Sequence, residues 1–84
     1  MNIKEAAKKC LFAQDACNLS GLVHSFPGIM EAVIEDCRAK GNDSTDARNR
    51  HPIVRLYVDK LVWLSGSDTG ISEAYAEVQR LAEG

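Results

Sequence analysis

The sequence predicts an all-α fold, a small bundle of three to four helices that self-associates, and three observations carry that expectation. Apolar residues recur at helical spacing through several separate stretches, and no segment alternates apolar and polar residues as a half-buried strand does. Helix start and stop signals stand at the edges of those stretches. The third observation is size. Eighty-four residues, 45% hydrophobic and 26% charged, have an ordinary globular balance and suit one helical domain over residues 1–84, but a chain this short buries only a modest fraction of its unfolded surface, which favours association.

Asn2 followed by Glu5 has capping-box spacing, and Ile3, Ala6, Ala7, Cys10, Ala13 and Cys17 then fall at helical intervals, so the first helix starts at about residue 3. Its end is open between two breaks: Ser20-Gly21, and the stronger Ser25-Phe26-Pro27-Gly28. Proline suits a first helical turn and damages an interior, so the expected arrangement is a bend near residues 18–21 and a restart with Ser25 as N-cap and Pro27 in the first turn.

A second helix follows, with Ile29, Met30, Val33, Ile34 and Cys37 on its apolar face, Glu31, Glu35, Asp36 and Arg38 on its wet face, and Gly41 as the C-terminal cap. Residues 41–50, GNDSTDARNR, hold no apolar side chain larger than alanine and read as a surface loop. Pro52 suits the first position of the next helix, with Asn49 or His51 near its cap. Ile53, Leu56, Tyr57, Leu61 and Leu64 line one face and Val54, Val58 and Val62 flank it, which predicts a broadly apolar, central helix ended by Gly66. A last amphipathic helix is expected from about Ser72 to Glu83, with Tyr75, Val78 and Leu81 or Ala82 inward.

Net charge is −2 with a pI near 5.6, so there is no global basic excess for a duplex or an anionic membrane, and nucleic acid is not an expected partner. The N-terminal stretch lacks an apolar core of signal-peptide length, and no run approaches the ~20 apolar residues of a bilayer span, so a cytoplasmic protein without a membrane partner is expected. Three cysteines without a CxxC pair argue against a disulfide framework or a cysteine-rich zinc module.

Ile3, Cys10, Cys17 and His24 are spaced by sevens, but residues seven apart lie about 10.5 Å apart along a helix, too far to share one zinc ion. A core stripe of small residues is the better reading, and no metal or cofactor is expected. Cys17 with His24 or His51, oriented by Asp15, would make a nucleophilic dyad, but the apolar neighbours of Cys17 do not activate a thiol, and no enzyme is expected. A helix-turn-helix fails because the third helix is too apolar to serve as a recognition helix.

Two polar groups remain. Asn18, Ser20, His24 and Ser25 punctuate DACNLSGLVHSF; the asparagine and serines suit capping, whereas His24 beside Phe26 is neither a preferred cap nor a comfortable core residue. Around the third helix, Asn49 and His51 suit caps, and Arg48, Arg50 and Arg55 stand beside a helix N-terminus, where arginines and free amides attract phosphate or carboxylate. Solvated arginines balancing Asp43 and Asp46 are the competing reading.

DACNLSGLVHSF, followed by NRHPIVRLYVDKLVWLSG, resembles a family of small, mostly uncharacterised helical proteins encoded in phage, prophage and bacterial genomes. The likeness covers roughly residues 13–66 and rests on two blocks of medium specificity; Pro27 and NDSTDARNR depart from the pattern. It implies a genomic setting, the host cytoplasm if phage-encoded, and no mechanism. With that setting, the expected function is non-enzymatic: a counter-defence protein that sequesters a small anionic, nucleotide-like ligand or a host protein through Asn18, Ser20, His24, Asn49, His51 and Arg55. The alternative is a homo-oligomeric interaction module without a small ligand, seamed by residues 53–64.

Overall fold

The computed structural model describes residues 1–15, 19–66 and 73–84. They form five helices: α1 (Ile3–Asp15), α2 (Leu19–Ala39), α3 (Thr45–Arg50), α4 (Pro52–Leu64) and α5 (Glu73–Glu83). The all-α class agrees with the sequence; the helix number exceeds the expected three to four.

α1 begins as its capping signal dictates, with Asn2 Oδ1 accepting from the Glu5 amide at 2.9 Å. Its buried face is almost wholly small: Ala6, Ala7, Cys10 and Ala13, with Gln14. Small side chains let neighbouring helices approach closely, and α1 packs against both α2 and α5. α5 answers with Ala74, Val78 and Ala82 and runs antiparallel to α1, since Tyr75 donates to Asp15 at 3.1 Å near one end and Gly84 lies beside Lys4 at the other. Burial pushes the Cys10 thiol up to about 12, against a smaller lowering by the Gln14 side chain. Gln14 Nε2 is itself buried with no hydrogen-bond acceptor among the described residues.

α2 departs from the expected bend and restart. It runs unbroken through Pro27, and Ser25 is no N-cap: its hydroxyl donates back to the Leu22 carbonyl at 3.2 Å. Proline removes the N–H that Val23 O would accept and crowds that carbonyl. The defect is tolerable because Val23 and Pro27 are both exposed, so water reaches the freed carbonyl, while Leu22 and Ile29 on the opposite face are buried and fix the axis on both sides of the proline. The C-terminus follows the sequence closely. Gly41 has φ 72°, its amide donates to Arg38 O at 2.9 Å, and that of Asn42 donates to Cys37 O at 3.0 Å, which together form a Schellman cap.

The polar stretch after Gly41 is not wholly a loop. Ser44 caps α3 by accepting from the Ala47 amide at 3.1 Å, and a helix of under two turns with no buried residue needs no apolar stripe to form. α4 starts at Pro52 with His51 as N-cap, as expected, but only its first half is central: Ile53, Val54, Leu56 and Tyr57 are buried, whereas Val58, Leu61, Val62 and Trp63 are exposed. Ile53 on α4 and Val33 on α2 are fully buried and Tyr57 nearly so, but alanine supplies six of the sixteen buried apolar side chains among the described residues. The core is correspondingly thin.

Candidate functional site

α2 and α4 lie antiparallel, and two side-chain contacts fix their register: Asp36 meets His51 at one end, and Ser25 meets Tyr57 toward the other. These two junctions define the candidate site.

At the first, the His51 side chain is only 5% exposed, and its Nε2 lies 3.0 Å from Asp36 Oδ2. Its Nδ1 accepts from the Ile53 amide at 3.2 Å. An amide can only donate, so Nδ1 carries a lone pair, the neutral ring bears its proton on Nε2, and that proton is donated to Asp36. The same Asp36 oxygen accepts from Lys40 Nζ at 3.0 Å. Burial by itself would raise the Asp36 carboxyl, but the hydrogen bonds from Lys40 and His51 outweigh it and hold the group below the ordinary carboxylate value. Both imidazole nitrogens are thus engaged, so His51 joins helices and, in this state, has no free nitrogen with which to take a proton from a substrate. Cys37 borders the same depression, about 270 Å³ in volume, as a buried free thiol.

At the second junction, the Ser25 hydroxyl donates its single proton to Leu22 O. The Tyr57 phenol therefore donates to Ser25 Oγ, at 2.7 Å. Burial raises the Tyr57 phenol, with a smaller lowering from Ser25. Phe26 packs edge-on to the Tyr57 ring, centroids 5.0 Å apart, a favoured aromatic geometry. Around this pair, Leu22, Val23, Phe26, Tyr57, Val58 and Leu61 line an apolar crevice of about 160 Å³. Val23 is 58% exposed, Val58 52% and Leu61 42%, so the crevice sits in an open apolar face that continues along α4 to Val62, one turn beyond Val58.

The arginine corner is closed by internal pairing. Arg48 binds Asp43, which also accepts from Arg38 at 3.1 Å; Arg50 binds Asp46 at 3.2 Å; Arg55 reaches across to Glu77 of α5 at 3.1 Å. The Ile53 amide is taken by the His51 ring and the Arg55 amide by the His51 carbonyl. Each of the three guanidiniums thus has an acidic partner, Asp43 and Asp46 as the competing reading expected and, for Arg55, Glu77 of another helix.

The five expected site residues among those described are dispersed. Ser20 and His24 are exposed on the first turns of α2, Asn49 is exposed on α3, His51 is buried, and Arg55 is half-buried; Asn18 lies outside the described residues. His24 precedes Asp36, the partner of His51, by twelve positions on α2, about 18 Å along the axis. His24 and His51 therefore lie toward opposite ends of the α2–α4 pair. Sequence reasoning missed Asp36, assigned to the wet face, and the Ser25–Tyr57 bond; the Asp36/Lys40 pair at i,i+4 was the available hint, but nothing local connects either residue to position 51. Among the described residues, no group of three His, Cys, Asp or Glu side chains is placed to hold a metal ion, and no helix is long and apolar enough to cross a membrane. Comparison with family models, curated proteins and solved structures finds no match to this chain.

Proposed function

We propose that this chain is a non-enzymatic binding protein of phage or other mobile-element origin that acts by stoichiometric capture and assembles with copies of itself through the α2–α4 face. The observation that carries this reading is the open apolar face around the 160 Å³ crevice, where Val23, Val58 and Leu61 stand exposed on a domain whose own core is thin. Apolar surface gathered on one face marks an interaction site more often than scattered exposed side chains do. A charge placed in that face opposes association without disturbing the core. Sedimentation equilibrium is expected to give a closed oligomer for the wild type and a single chain for Val58→Glu; a monomeric wild type at all concentrations removes the assembly.

The captured species is a small anionic, nucleotide-like ligand or a host protein. Exposed His24 on α2, beside Val23 of the apolar face, favours the small ligand, because an imidazole supplies a donor next to a surface on which a base can stack. Calorimetric titration with a panel of nucleotides tests it: micromolar binding by the wild type, weakened at least about tenfold in His24→Ala by loss of one charge-assisted hydrogen bond, is expected. A panel that binds nowhere removes the small ligand and leaves a host protein as the captured species or, as the alternative, the homo-oligomeric interaction module without a small ligand.

A further inference from the structure

His51 occupies three structural roles at once. Its amide donates to Arg48 O, closing α3; its carbonyl accepts from the Arg55 amide, opening α4; and its ring links the first turn of α4 to Asp36 of α2. The two ring bonds respond differently to a proton. Nε2 already donates to Asp36, and an imidazolium donates there more strongly. Nδ1 accepts from the Ile53 amide, and an imidazolium has no lone pair left to do so: two N–H groups would face one another across the 3.2 Å contact.

We propose that His51 is a proton-operated latch in which protonation uncaps α4 and frees its first turn while the bond to Asp36 keeps α2 and α4 together. The ring borders the depression lined by Asp36, Cys37, Lys40 and Arg50, which gives solvent protons a way in. The groups around it act in opposition. Asp36 of α2 favours the imidazolium; Lys40 of α2, Arg50 of α3 and the positive N-terminal end of α4 oppose it; the Cys37 thiol is neutral; and Arg55, on α4, is turned away to Glu77 of α5. Uncapping is directed to the α3–α4 corner, because the Schellman cap of α2 and the salt bridge of Lys40 to Asp36 do not use the His51 ring.

The test is an NMR titration of the full chain from about pH 8 to about pH 5, the interval in which imidazole characteristically changes charge. Expected are ring carbons of His51 and the Ile53 amide proton that move with one midpoint, the latter upfield as its acceptor is lost, with the Nε2 proton to Asp36 retained. The exposed His24 ring, distant from the α3–α4 corner, is the internal control, and changes in its signals are expected to leave Ile53 unmoved. His51→Asn keeps a capping oxygen but cannot titrate, so its Ile53 amide is expected to be flat across the range. An Ile53 amide that stays still while the wild-type His51 ring titrates overturns the latch, as does a ring that stays neutral until the whole chain unfolds or an Ile53 response that persists in His51→Asn.

Discussion

His51 and Asp36 join α4 to α2, because one ring nitrogen caps a helix and the other holds a carboxylate that is mostly buried. Replacing His51 by alanine removes the cap and leaves Asp36 with Lys40 as its remaining side-chain partner, at an expected loss of about 1–3 kcal/mol in chemical denaturation. His51→Asn is expected to recover the capping share of that loss. Asp36 also gives stability a pH dependence of known sign. Its carboxyl is held below its unfolded value, so the contribution is fully present above the ordinary carboxylate range and is lost as pH falls through the depressed value. Asp36→Asn is expected to flatten that acid limb in a series of denaturation curves; an unchanged limb would show that another carboxylate controls it. Cys10 offers a second check at this scale. With its thiol pushed up to about 12, it is expected to resist alkylation in the native protein and to react on denaturation, read by mass spectrometry of the modified peptide.

Among the elements, α1 and α4 were legible at their starts because caps are local: Asn2 to the Glu5 amide and the His51-Pro52 pair each need only a few neighbouring residues. The Gly41 stop was legible for the same reason, and Gly41→Ala is expected to cost about 1 kcal/mol, since alanine resists φ near 72°. The continuity of α2 through Pro27 was not legible, because proline is a strong local breaker and its tolerance depends on tertiary burial of Leu22 and Ile29 to either side. Pro27→Ala restores the bond from residue 27 to Val23 O and is expected to raise stability by about 1–2 kcal/mol in thermal unfolding; a loss of stability would mean that the proline shapes the packing of α2. α3 escaped periodicity altogether, for a helix with no buried face leaves no apolar pattern to detect. Of the candidate site, the capping role of His51 could be read from its place before Pro52, but its bond to Asp36, fifteen residues away, is a product of helix packing. The acidic partners of Arg48 and Arg50 were visible nearby in sequence, whereas Glu77, which holds Arg55, comes from another helix.

For the whole molecule, the small-residue seam of α1 and the half-exposed course of α4 belong together. Helices faced with alanine pack closely but bury little apolar area each, and the larger side chains of α4, Val58, Leu61, Val62 and Trp63, stand outside the core. The proposed capture by assembly would use that surplus: the apolar face would join copies, with His24 on α2 presented beside the seam. Native mass spectrometry of the wild type and Leu61→Glu, purified without chelator or denaturant, tests this most directly. Leu61 is already 42% exposed in the chain, so its replacement is expected to leave folding within about 0.5 kcal/mol of the wild type. The expected result is a wild-type mass that is a whole multiple of the 9.2 kDa chain, with any additional nonprotein mass giving the class of captured ligand, and a Leu61→Glu mass of one folded chain. A wild type that flies as a single bare chain, or a Leu61→Glu variant that keeps the full assembly, would contradict capture through the α2–α4 face.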